Sequence, residues 1–152
     1  MQAACTGGRP GAPYAPLVDA AGGIAVPAIE LVAVAGDTTL PRFDTRSYAE
    51  YAVSRLPGAQ WMGYDSLDLS LLQGHAPDDT LVVYCSVGLR SAQVAARLRA
   101  LGYTQVFNLQ GGLFAWVNEG YPLTDARGQP TDTVHGYASH WGMWLTRGVV
   151  VY

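Results

Sequence analysis

The sequence predicts an α/β domain built on a mainly parallel central sheet flanked by helices. Three observations carry that prediction. Strand-like stretches alternate with short helical ones through the middle of the chain. The run "TLVVY" (80–84) is apolar without alternation and follows a "PDD" turn, as expected of a strand buried on both faces. "SAQVAARLRALG" (91–102) places Val94, Leu98 and Leu101 on one helical face, turns Arg97 and Arg99 elsewhere and stops at Gly102.

The other elements follow in order. "AIELVAVAG" reads as a short helix with Pro27 in its first turn and Gly36 at its stop. "LPRFD" (40–44) reads as a strand, and "SYAEYAVS" (47–54) as a helix started by Ser47, whose hydroxyl can accept from an orphan amide of the first turn. "PGAQWM" is a turn and a short strand, and "DSLDLSLLQG" (65–74) a helix closed by Gly74. "QVFNL" is the next strand and "GGLFAWVNEG" the next helix.

Length and composition bound the function. A chain of 152 residues argues for one domain. It buries roughly 68–70% of its unfolded surface, which is enough to dispense with a disulfide or metal staple. With 49% hydrophobic and 14% charged residues and a mean hydropathy of +0.11, it reads as a soluble globular protein. A net charge of −3 and a pI near 5.4 give no electrostatic case for nucleic acid or an anionic membrane. No apolar run approaches the ~18 residues of a membrane span.

No secretory signal is expected in "MQAACTGGRPGAPYAP", a stretch rich in Gly, Pro and Ala and expected to be poorly ordered. The two cysteines, Cys5 and Cys85, make no disulfide framework. Two unpaired thiols fit a reducing compartment, with export behind a trimmed signal left open.

Ligands of parallel α/β sheets bind beyond the carboxyl ends of the strands. Cys85 follows the most apolar strand and precedes the clearest helix. Unpaired amides at that helix start carry partial positive charge, and consecutive loop amides form an anion-binding nest. Gly88 lets the loop bend, and Arg90 adds a permanent cation. A lone Cys is commonly a small buried hydrophobe; here the placement favours a reactive thiolate.

The chain is similar to the single-domain rhodaneses, a sulfurtransferase family. "CSVGLRS" matches their active-site loop Cys-x-x-Gly-x-Arg-Ser/Thr. "DTRSYAEY" matches Asp-x-Arg-x-x-x-Glu-Tyr through Asp44, Arg46, Glu50 and Tyr51. "LPGA" keeps Pro57, Gly58 and Ala59 of Gly-His-Ile-Pro-Gly-Ala. "LQGGLFAWVNEGYP" matches Gly-Gly-x-x-x-Trp and Gly-x-Pro through Gly111, Gly112, Trp116, Gly120 and Pro122. The chain departs where "SRL" (54–56) replaces Gly-His-Ile; the missing His is read as a structural group, so catalysis remains possible. The resemblance runs from about Ile24 to Pro122 and implies a rhodanese-like domain over 24–122; residues 1–23 are expected, on composition, to be a disordered leader, and 123–152 a C-terminal extension packing on the domain. The tail "VHGYASHWGMWL" resembles an extension seen on some bacterial members.

The resemblance implies a mechanism and a set of roles. The Cys85 thiolate attacks the sulfane sulfur of a donor such as thiosulfate or a persulfide, forms a cysteine persulfide, and passes the sulfur to a thiophilic acceptor. Ser86, Val87, Gly88, Leu89 and Arg90 would cradle the substrate, while Asp44, Arg46, Glu50 and Ser91 give structural support, with Arg46 and Glu50 read as an ion pair. The partners implied are a small-molecule sulfur donor and a thiol, cyanide or protein acceptor. Neither a cofactor nor a metal is called for. Between Cys85 and Arg90 stands no charged side chain, so Val87 and Leu89 can border an apolar rim suited to an organic persulfide or a protein donor.

Two other readings compete with this one. A non-catalytic or regulatory rhodanese-like module could sense sulfur or redox state or bind a partner, but the intact Cys, Gly and Arg favour an enzyme. Phosphatases and arsenate reductases on related folds carry Cys-x5-Arg. The four residues here leave a narrower cradle suited to one sulfur atom. His75, His135 and His140 make no zinc pattern. Tyr137, Trp141 and Trp144 form an aromatic stripe if the tail is helical, with core packing the default reading and partner docking the sharper one.

Overall fold

The computed structural model describes residues 26–152; the expected leader and Cys5 lie outside the described residues. Five strands form one sheet in the order β1-β5-β4-β2-β3, and every pairing in it is parallel. These are β1 (Ala28–Ile29), β2 (Arg42–Asp44), β3 (Gln60–Trp61), β4 (Leu81–Tyr84) and β5 (Val106–Leu109). Helices α1 (Leu31–Gly36), α2 (Tyr48–Val53), α3 (Leu89–Ala100) and α4 (Gly112–Asn118) connect or follow them.

Strand β4 explains why "LVVY" carries no polar residue. Its side chains alternate between two faces, and both faces are covered. Val82 and Tyr84 enter one core with Val34, Leu113, Phe114 and Trp116, while Leu81 and Val83 enter the other with Phe43, Val94, Ala95 and Leu98. All four β4 side chains are fully buried. The two cores pin the register in which Asp44 lies opposite Tyr84 and Val83 opposite Asn108.

Helix α2 begins as its sequence requires. Ser47 accepts from the Glu50 amide, and the Glu50 carboxylate accepts from the Ser47 amide at 2.9 Å, closing a reciprocal cap.

Two predicted helices are corrected. Ala28–Ile29, read as the first turn of a helix, pairs instead with β5; Pro27 and Ile29 carbonyls accept from Asn108 and Gln110, and α1 starts only at Leu31. "DSLDLSLLQG" yields one 3₁₀ turn, Leu69–Leu72. Asp68 accepts from the Ser70 amide at 3.1 Å and its hydroxyl at 2.5 Å, a local bonding pattern that competes with helix propagation.

Beyond the sheet the chain forms a short antiparallel pair, β6 (Leu123–Thr124) with β7 (Pro130–Thr131), and a parallel pair, β8 (Thr133–His135) with β9 (Val149–Val151). Between β8 and β9 lies α5 (Ser139–Gly142), only one turn long. The aromatic stripe therefore does not form. Tyr137 precedes the helix in a left-handed conformation (φ +66°), while Trp141 and Trp144 pack against the Trp116 core. No helix among the described residues is long and apolar enough to cross a membrane.

Candidate active site

The chain leaves β2 toward the edge strand β3 and leaves β4 toward β5 on the opposite side. The carboxyl ends of β2 and β4 therefore flank a topological switch point, where open α/β sheets bind ligands. Cys85 is the first residue after β4. Thr45, after β2, secures that strand end: its amide and hydroxyl both donate to the Tyr84 carbonyl, at 2.9 and 3.0 Å.

Cys85 is 1% exposed, at the floor of a pocket of about 150 Å³ lined by Cys85, Ser86, Val87, Leu89, Arg90, Tyr137 and Trp141. The Gly88 amide donates to Sγ at 3.1 Å. Gly88 has φ +104°, a region costly for any residue with a Cβ, and it opens α3. Ser91 Oγ lies 3.4 Å from Sγ and 2.6 Å from Asn108 Oδ1. Its single proton serves one of these acceptors at a time. Asn108 Nδ2 donates to the Gly88 carbonyl at 3.0 Å, tying β5 to the loop.

Helix α4 holds the loop from the other side. The amides of Leu113 and Phe114 donate to the carbonyls of Cys85 and Ser86, each at 2.9 Å. Gly112, at φ +63°, permits this approach; a Cβ there would stand 2.6 Å from the Cys85 carbonyl oxygen and 2.7 Å from that of Ser86. The loop's first two carbonyls are thus spent on α4.

The cation beside the thiol is already paired. Arg90 donates to both oxygens of Glu50 at 2.9 Å and to Ser86 Oγ at 3.1 Å, and Ser86 Oγ donates to Glu50 Oε1 at 3.1 Å. Burial raises the Glu50 pKa, but the Arg90 hydrogen bonds and charge, with the Ser47 bonds, prevail and hold it down at about 2. Burial likewise works against the charge of Arg90, and its bonds to Glu50 with the charges of Cys85 and Glu50 outweigh this and raise its pKa.

The expected Arg46–Glu50 ion pair is therefore corrected. Arg46 pairs with Asp44 at 2.6 Å, both side chains wholly buried, and also donates to the Ser54 carbonyl at 2.6 Å. Asp44 Oδ2 accepts further from Tyr84 at 2.8 Å. Burial first, then the Asp44 charge, pushes the Tyr84 hydroxyl well above its ordinary value, so it remains a donor. Where the His of the family pattern is missing, Arg55 lies with its guanidinium carbon 3.8 Å from the Tyr51 ring centroid, and its backbone bonds to Thr124 both ways at 3.0 Å.

The loop residues 85–91 and Glu50 thus meet in one place, while Asp44 and Arg46 brace the adjoining strand end. Asn108 escaped the sequence reading. Its signal was a lone amide inside the apolar run "QVFNL". Among the described residues, no group of three or more His, Cys, Asp or Glu is placed to hold a metal ion.

A parallel sheet with a cysteine loop at its switch point defines an α/β protein with a sheet-edge thiol site. Residues 30–119 match the rhodanese-like domain, and the chain belongs to that family. It is 34% identical to a sulfurtransferase of Allochromatium vinosum over 85 residues, 56% of this chain and 78% of the relative. Its identity to the thiosulfate sulfurtransferase GlpE of Pseudomonas fluorescens is 32% over 87 residues, 57% and 78% of the two chains. A rhodanese-like domain protein from Staphylococcus aureus superposes with a TM-score of 0.56 at 25% identity, covering 66% of this chain and 98% of the other.

Proposed function

We propose that the protein is a sulfurtransferase that carries sulfane sulfur on Cys85. The observation that carries this reading is the Cys85 thiol at the end of β4, lining a pocket and accepting from the Gly88 amide. Relatives named as sulfurtransferases support the same chemistry.

With thiosulfate as donor, the Cys85 thiolate attacks the outer sulfur. The Sγ–S bond forms as the S–S bond to the sulfite sulfur breaks, and sulfite leaves with the bonding pair. A thiolate, free or on a protein, or cyanide then attacks the outer persulfide sulfur, and the S–S bond breaks with its pair on the released Cys85 thiolate. No proton need move in the first half, so no general base is required. The Gly88 amide, donating to Sγ at 3.1 Å, would stabilise negative charge on the reacting sulfur during transfer. Glu50, held ionised, fixes Arg90 and Ser86 beside that charge rather than exchanging protons with substrate.

Incubation with thiosulfate followed by intact-mass and peptide mapping tests the assignment. A gain of one sulfur atom at Cys85, absent in Cys85→Ser together with thiocyanate formation from cyanide, is expected. Sulfur carried on Cys5 alone, or turnover that survives Cys85→Ser, would overturn it.

A further inference from the structure

The segment after β7 lies beyond the residues that match the family, yet it supplies two of the seven described residues lining the Cys85 pocket. We infer that Tyr137 and Trp141 select the donor, favouring sulfane-sulfur compounds with an apolar body over the compact thiosulfate dianion. This rests on the sulfur-transfer reading.

The first argument is charge. Arg90 is the one charged residue among the described residues lining the pocket, and its guanidinium is already held by both oxygens of Glu50. The Tyr137 ring covers it further, with its centroid 5.0 Å from the guanidinium carbon. A dianion entering the pocket must leave its hydration shell and meets a cation with its charge largely committed. Val87, Leu89, Tyr137 and Trp141 instead offer apolar surface to a carbon body. A pocket of this volume is on the scale of a protein cavity that accommodates a benzene ring.

The second argument is the position of Tyr137. It occupies φ +66°, where residues with a Cβ pay a backbone cost, and it remains 52% exposed. Core burial therefore does not account for the strain. The neighbouring structure enforces it: the Tyr137 amide donates to His135 Nδ1 at 2.9 Å, Ala138 donates to the Gly136 carbonyl at 2.8 Å, and Gly136 donates to Val151 at 2.9 Å. A Cβ on Gly136 would meet Val150 and Tyr152 at 2.7 and 2.8 Å, so β9 packs directly under the turn. The turn thereby holds an exposed aromatic ring in the lining of the pocket, where a donor's apolar body can reach it. Trp141, anchored in the Trp116 core, forms the fixed part of the same wall.

An aryl thiosulfonate, R–SO₂–S⁻, meets both requirements. The Cys85 thiolate attacks its terminal sulfur, the Sγ–S bond forms, the S–S bond to the sulfonyl sulfur breaks, and the pair leaves with the sulfinate. Neither an oxidant nor a proton is consumed.

The test compares benzenethiosulfonate with thiosulfate as donors for wild type, Tyr137→Gly and Trp141→Ala. Glycine tolerates φ +66°, so Tyr137→Gly removes the ring without adding strain and keeps the comparison valid if Trp141→Ala fails to fold. Wild type should prefer benzenethiosulfonate in kcat/KM by about tenfold or more, and Tyr137→Gly should erase about tenfold of that preference, chiefly through KM. Sulfur transfer with a donor ratio unmoved by Tyr137→Gly would overturn the selection role alone. Failure of every donor to load Cys85 in folded wild type would overturn sulfur transfer and this inference with it.

Discussion

Replacing Glu50 with Gln tests the electrostatic frame of the loop, because the amide keeps the side chain's shape and removes its charge. The Glu50 side chain is 2% exposed, and its carboxyl falls from an ordinary 4.5 to about 2 on folding. If fully realised, that difference corresponds to about 3 kcal/mol at neutral pH. Arg90 is 22% exposed and screened on that side, so about 2 kcal/mol is the better expectation. The sign follows from the direction of the shift. A depressed carboxylate contributes fully above its unfolded value of 4.5 and loses that contribution as pH falls through about 2.

Urea unfolding of wild type and Glu50→Gln at about pH 7 and about pH 3 isolates the effect, since other carboxylates titrate in both proteins. Removing the carboxylate also leaves Arg90 underpaired, which adds a cost present at both pH values. The diagnostic quantity is therefore the change in the gap. The variant should be less stable near neutrality, and the gap should shrink by about 1 kcal/mol or more on acidification. A gap that stays constant or widens as pH falls would refute the Arg90–Glu50 account.

Two further outcomes follow from the same loop. Gly112→Ala should cost at least ~2 kcal/mol in urea unfolding and abolish sulfur loading of Cys85, because φ +63° is strained for Ala and its Cβ would collide with the Cys85 and Ser86 carbonyls. Asn108→Ala should lower stability by about 1–2 kcal/mol and slow persulfide formation, by removing the bonds to Ser91 and to the Gly88 carbonyl; an unchanged loading rate would show that β5 does not position the loop.

Local rules made much of this legible. The unbroken apolar run at 81–84 announced a strand buried on both faces, and Ser47 with Glu50 three residues later announced the capped start of α2. Pairing between distant residues was not legible. Arg46 and Glu50 stand four apart, a spacing that suits an ion pair, yet β2 brings Asp44 to Arg46 while α3 brings Arg90 to Glu50 from 40 residues away. Helical periodicity misled in the tail, where α5 is a single turn and Gly136 and Gly142 leave room for the close approach of Tyr152. Asn108 was missed because its role depends on β5 lying beside β4, which no local pattern encodes.

The loop charge takes on a different meaning once these pairings are known. Arg90, read alone, suggests a cation waiting for an anionic donor. In the structure Ser86 lies buried between Glu50 and Arg90, and all three are joined in one hydrogen-bonded set that is neutral as a whole. The attraction left for an incoming anion then comes from oriented dipoles, with the Gly88 amide at Sγ the clearest of them, rather than from an uncommitted charge. Dipoles at close range act on the reacting sulfur and little on the remainder of the donor. On the proposed sulfur-transfer reading, discrimination among donors would fall to the rest of the pocket lining, which among the described residues includes Val87, Leu89, Tyr137 and Trp141. The loop would supply the chemistry, and the C-terminal segment the choice of what reaches it.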